Sequence, residues 1–163
     1  MQQEVSRVAG SAPCPSETQY SRAVDPVSVK RAAPVRYVSR SEQLGAASID
    51  VYVRDTIAAL RRDHEAAGLP FTRYHGCSTE DEQIVEVCLP TADGDNEIDA
   101  QEVAFTVARG DECEYPQILA AYDAVVAFAR SLGRELDGAP REVYLVDPGS
   151  GTPAMEVAFA LLP

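Results

Sequence analysis

The chain has 163 residues with ordinary apolar content, enough for one domain with a real core. Twenty-six acidic against fourteen basic residues give a net charge of −12. Such a surface repels nucleic acid and anionic membranes and favours cations, so direct nucleic-acid binding is excluded as a first reading.

Residues 1–26 are rich in Ser, Pro, Ala and Gln without a sustained period, and are expected to form a disordered tail. They lack the basic and apolar regions of a secretory signal. No later stretch reaches the length of apolar sequence that a membrane span needs. A cytoplasmic location follows as an expectation, and Cys14, Cys77, Cys88 and Cys113, with no CxxC spacing, are read as free thiols.

The ordered domain is expected over residues 27–163. It opens with VSVKRAAPVRYVSR, a strand-like stretch interrupted by Pro34, which suggests an edge or a bulge. Residues 46–67 place Ile49, Val53, Ile57 and Leu60 on one face and charges opposite, predicting an amphipathic helix that stops at Gly68. FTRYHG and QIVEVCLP then read as a hairpin across CSTEDE. EVAFTVAR predicts a further strand, and a helix is expected from about Tyr115 to Arg134, with Ile118, Ala121, Tyr122, Val125, Val126 and Ala129 as its apolar face. REVYLV and AMEVAFALL close the chain as a hairpin across DPGSGTP, a Gly/Pro turn with neither the lysine nor the helix of a phosphate loop.

Residues 33–92 lie over residues 103–162 at an offset of seventy without a gap, with nine identities in the sixty positions, among them Tyr74 with Tyr144 and Glu86 with Glu156. The order of elements is also the same in each half. The expected fold is therefore α+β: two tandem strand-helix-strand-strand repeats, about 27–92 and 97–163, related by a pseudo-two-fold axis, with antiparallel sheets and a central ligand cleft.

Alternation along REVYLV places Glu142, Tyr144 and Val146 on one face, and Arg141, Val143 and Leu145 on the other. The apolar Val143 and Leu145 suit the helix-covered side, leaving Glu142 and Tyr144 on the opposite face. By the same logic Glu156 joins them there, and in the first half Thr72 and Tyr74 share a face with Glu86 and Cys88. Convergence of Tyr74, Tyr144, Glu86, Glu142 and Glu156 would form an acidic, aromatic cleft suited to a planar organic cation. The bland reading is that Glu86 and Glu156 sit on a wet sheet face. His64 and His75 are the only histidines, and with the scattered thiols they make no recognisable metal site. A Cys77–His75 nucleophilic pair lacks an orienting third group. No metal and no cofactor are expected.

PFTRYHG with IVEVCLP, YPQILAAYDAVVAFARSLG, and REVYLVDP with MEVAFALLP resemble, in order and spacing, the GyrI-like small-molecule-binding proteins, also found as effector-binding domains of bacterial multidrug-responsive transcription activators. The resemblance covers nearly all of residues 27–163. It implies a duplicated fold whose cleft binds aromatic, often cationic, compounds, with the central acid at Glu142 and aromatic positions at Tyr144 and Tyr74. Tyr115 matches the tyrosine of the family's His-x-Gly-Pro-Tyr stretch, whose other residues are replaced by GDECE here, and the family's tryptophan is missing. Since a regulator's DNA-binding domain is also missing, the expectation is a stand-alone binding protein, monomeric or homodimeric, that sequesters or senses a drug or toxin. Its proposed ligand-binding residues are Glu142, Tyr144, Tyr74, Tyr115, Glu86 and Glu156. The alternative implied by the resemblance is a hydrolase that adds water to cyclopropane-bearing, DNA-alkylating compounds, with Glu142 and Tyr144 as the catalytic pair, for a role in self-resistance.

Overall fold

The computed structural model describes residues 24–79 and 82–163. Most of the expected N-terminal tail, Cys14, and the tip of the first hairpin at residues 80–81 lie outside them. Eight strands, β1 (Ser28–Ala32), β2 (Val35–Gly45), β3 (Phe71–Thr79), β4 (Glu82–Pro90), β5 (Asn96–Ile98), β6 (Gln101–Arg109), β7 (Leu136–Tyr144) and β8 (Ala154–Leu161), form one antiparallel sheet rather than several. Its order is β1-β6-β8-β7-β3-β4-β2-β5. Helices α1 (Ala46–Asp63) and α2 (Leu119–Ser131) complete an α+β architecture.

Pro34 marks no bulge but separates two strands, the first of which, β1, is an edge of the sheet. β1 pairs with β6 at one end of the sheet, and β2 pairs with β4 and β5 at the other. The short, polar β5 had no signal in the sequence.

α1 buries Val53, Thr56, Ile57 and Leu60, a stripe at helical spacing, against β4 and β2, and Arg61 and Arg62 oppose the dipole in its last turn. It ends at Asp63, short of the expected Gly68, because His64 turns extended and the Ala67 N–H leaves the helix to donate to the Pro90 carbonyl at 2.8 Å. Gly68 instead packs on Pro90, where a Cβ would lie 3.2 Å from the ring. α2 buries the small residues Ala121 and Ala129 with Val125, which lets it sit close on β6 and β8. It begins at Leu119, four residues later than expected, after a 3-10 turn at Gly110–Cys113 and a turn through Pro116. Gly133, at φ +67°, closes its C-terminus in the left-handed conformation that glycine adopts without strain.

Both halves place their strands in the same order: β2 beside β4 beside β3, and β6 beside β8 beside β7. Arg73 opposes Glu86 as Val143 opposes Glu156, so the hairpins do align at an offset of seventy (73 to 143). Ser41 opposes Glu86, however, as Val107 opposes Glu156. The first strands therefore align at 66 (41 to 107), and the ungapped alignment fails there.

β5 and β6 lie six strand spacings apart in sheet order, roughly 29 Å if the sheet were flat. Only Asp99 and Ala100 connect them, which reach about 10 Å. The sheet must curl. It curls away from the helices, since Ile98 and Gln101 at the ends of this link line one small cavity with Arg73 and Arg141 of the central strands.

Candidate functional site

Antiparallel partners directly opposite each other share a face. Thr72 opposes Val87 and Glu142, Tyr74 opposes Val85, Glu142 opposes Val157, and Tyr144 opposes Met155. Val85, Val87, Met155, Val157 and Tyr144 pack with Val53, Ile57 and Leu60 of α1 and with Ile118 and Ala121 near α2 in one core. Glu142 and Tyr144 therefore lie on the helix-covered face, contrary to the expectation from Val143 and Leu145. Val143 instead packs with Tyr37, Phe71 and Cys88 on the other face.

This exchange of faces separates the expected site residues. Tyr74, Tyr144 and Glu142 come together. Glu86 opposes Arg73, and Glu156 opposes Val143, so both glutamates lie on the face without helices. Glu86 accepts from His75 Nε2 at 2.6 Å and from Arg73 Nη1 at 3.4 Å; Glu156 pairs with Lys30 at 2.5 Å. His75 is thus tied to a carboxylate.

The helices sit on the outer strands of their halves, α1 on β4 and β2, α2 on β6 and β8. The middle strands β3 and β7 are left as the floor of a groove between them. A cavity of about 1120 Å³ occupies it, ample for a drug-sized molecule. Ile49, Asp50 and Val53 of α1 form one wall, Ile118, Leu119 and Tyr122 the other, and Tyr74, Glu142 and Tyr144 the floor. Tyr115 stands at the rim, 70% exposed. The β7–β8 turn closes one end, held to α1 by a two-bond ion pair of Arg61 with Asp147 at 2.8 and 2.9 Å.

Glu142, 6% exposed, is held by phenols. Tyr74 donates to Oε2 at 2.8 Å and Tyr122 to Oε1 at 2.7 Å, while Tyr144 shares a hydrogen bond with Thr72 at 3.2 Å beside them. Burial pushes the Glu142 carboxyl up; the hydrogen bonds from Tyr122 and Tyr74 counter this only in part, and the charge of Asp50 adds to the rise. No cation among the described residues touches Glu142. Burial and the neighbouring carboxylate also push Tyr74, Tyr122 and Tyr144 up, so all three keep their protons, and Tyr74 and Tyr122 donate to Glu142. A carboxylate that is dehydrated, hydrogen-bonded only by neutral groups and open to a cavity can hold an organic cation or take a proton from a bound molecule.

Sequence reasoning missed Tyr122 and Asp50. Tyr122 was read as part of an apolar helix face, yet a tyrosine there carries a hydroxyl that needs a partner when buried. That requirement was the available signal. Cys113 lines the cavity and Cys88 is buried on the other face; burial raises both thiols. No cluster of metal-ligating side chains occurs among the described residues, and no helix there is long and apolar enough to cross a membrane.

No model of a known protein family matches the chain, and no curated protein does. Solved structures do. The fold is similar to the EcmrR C-terminal domain, with a TM-score of 0.65 and 19% identity over 83% of this chain and 96% of that one. It is also similar to EcmrR in a cryo-EM complex with DNA, with a TM-score of 0.67 and 20% identity over 83% of this chain, which spans about half (56%) of the EcmrR chain there. A hydrolase from Listeria innocua aligns with a TM-score of 0.57 and 10% identity over 90% of this chain and 96% of that one. At the level of fold, these likenesses bear out the GyrI-like resemblance drawn from the motifs.

Proposed function

We propose that the chain is a small-molecule-binding protein whose cavity captures aromatic compounds, cationic ones by preference, and so sequesters or senses a drug or toxin. The observation that carries this reading is the state of Glu142: a buried carboxylate with phenols around it, facing a large cavity and lacking a countercharge among the described residues. A bound cation would supply that charge, and Tyr74, Tyr144 and exposed Tyr115 offer faces for stacking and cation–π contact. Likeness in fold to an effector-binding regulator domain supports the reading without naming the ligand. We read the two halves as copies of one unit about a pseudo-two-fold axis, with the cavity on their seam, and the protein as a cytoplasmic monomer or homodimer.

Equilibrium binding to matched pairs of cationic and neutral aromatic dyes tests this. Glu142→Gln should weaken cationic dyes at least tenfold, about 1.4 kcal/mol, and spare neutral ones. Equal affinities for wild type and variant would end the proposal.

The second reading is hydrolysis of a strained, cyclopropane-bearing alkylator, favoured by the 2.8 Å contact of Tyr74 with Glu142 beside open space. Glu142 would take a proton from water as its oxygen bonds to the ring carbon, and Tyr74 or Tyr144 would donate to the group that gains electrons as the ring bond breaks. The mass of recovered compound separates the two readings: unchanged for binding, increased by one water for hydrolysis.

A further inference from the structure

The face without helices carries a second concentration of charge. Arg73 and Arg141 stand directly opposite each other on β3 and β7, a placement in which like charges repel. Arg73 uses Nη1 for both of its contacts, Tyr37 Oη at 3.1 Å and Glu86 at 3.4 Å, while its Nε is shielded from solvent with no partner. The Arg141 side chain is partly buried and makes no hydrogen bond or ion pair with any described residue. Glu156, the acid whose charge acts most strongly on it, is engaged by Lys30.

Beside the two guanidiniums lies a cavity of about 100 Å³, lined also by Gln101, Asp137, Ile98 and Ala160, with Gly138 and Ala139 of β7 between it and the Glu142 groove. It has room for about three waters, or one tetrahedral oxyanion in their place. Guanidinium forks match such an ion, and a partly buried, unpaired charge is costly until an anion answers it.

We propose that Arg73 and Arg141 form a site for a single phosphate group on the sheet face opposite the Glu142 cavity. Gln101 supplies a further donor. Asp137 makes hydrogen phosphate, which can donate a proton to a carboxylate, a better fit than sulfate, which cannot. The occupant would bridge β3 and β7, the seam between the halves, and link the seam's stability to phosphate. This site is independent of the reading given for Glu142.

Titration with inorganic phosphate, followed by calorimetry and thermal unfolding at ionic strength held constant with chloride, tests it. Saturable binding and a rise in Tm are expected, with sulfate weaker. Glycerol phosphate distinguishes the sources: binding as tight as inorganic phosphate indicates a monoester's group, and its rejection indicates the free ion; both support the site. Arg141→Gln should lose at least tenfold in phosphate affinity, and Arg141→Lys should recover part of it. No side chain among the described residues loses a hydrogen bond or ion pair in Arg141→Gln, and far-UV circular dichroism with the thermal unfolding transition reports that the variant is folded. Phosphate acting no differently from chloride, or binding Arg141→Gln as tightly as wild type, would overturn the proposal. Sulfate binding as tightly as phosphate would overturn the choice of ion.

Discussion

Glu142 and Glu86 both expose little surface, 6% and 8%, on opposite faces of one sheet, but Glu142 lies deeper among protein atoms, and their carboxyl groups shift in opposite directions. Burial raises both. Around Glu142 the partners are neutral phenols, which recover only part of the cost. Around Glu86 the hydrogen bonds from His75 and Ser39, with the charge of Arg73, more than recover it. What a buried acid can do is set by its depth and its partners together: Glu86, shallower and held by His75, Ser39 and Arg73, is spent on structure, and Glu142, deeper and among neutral phenols, is left with a charge for something else to answer.

The contrast is broken most severely by Arg73→Met. It leaves Glu86 with the hydrogen bonds of His75 and Ser39, and should cost about 2 kcal/mol in denaturant unfolding at neutral pH. A loss of a few tenths would mean that Arg73 is not the partner that holds Glu86 ionised.

Removing either phenol from Glu142 comes next. Tyr122→Phe should cost about 1.5 kcal/mol, since hydrogen bonds to a charged group are worth more than neutral ones. It should also push the Glu142 carboxyl higher, which a carboxyl NMR titration would read. An unshifted carboxyl would remove Tyr122 from the site.

The two faces should also differ in their response to pH. The folded carboxyl of Glu142 lies above its unfolded value, so its contribution is fully present below the unfolded pKa and is lost as pH rises through the folded one. Glu142→Gln should therefore gain about 1 kcal/mol over wild type at pH 7, and the gain should vanish toward pH 4. Glu86 lies below its unfolded value, so its contribution is present above the unfolded pKa and lost as pH falls through the folded one. Glu86→Gln should lose stability at pH 7 and draw level in acid. Parallel stability curves for the two variants would contradict the contrast.

The smallest effect belongs to the exposed tie between α1 and the β7–β8 turn. Arg61→Ala should cost about 0.5 kcal/mol and loosen ligand binding slightly by freeing the wall that Asp147 holds.

Sequence periodicity served α1, β4 and β8 well, because each has a regular apolar stripe bounded by turn residues. It misjudged the faces of β3 and β7. Alternation reveals a face when one side is wet, but helices cover one side of this sheet and the curl of the sheet covers the other. Val143 and Tyr144 are accordingly both in apolar clusters, and the choice between them had no polar signal behind it. Glu142, Tyr74 and Tyr144 still meet because the error moved them together; Glu86 and Glu156 fall on the other face, because the strands were assigned on their own alternation and not on their pairing. The four-residue shift between first strands, β5 and the late start of α2 depend on pairing and on local turns that no periodicity encodes.

The central claim is that Glu142 awaits a countercharge. A carboxyl NMR titration of the free protein and of its complex with a cationic aromatic dye, assigned with Glu142→Gln, tests it most directly. The account predicts a Glu142 pKa above the usual glutamate value in the free protein and a fall when the dye binds. A free value at or below the usual one, or no change on binding, would contradict it.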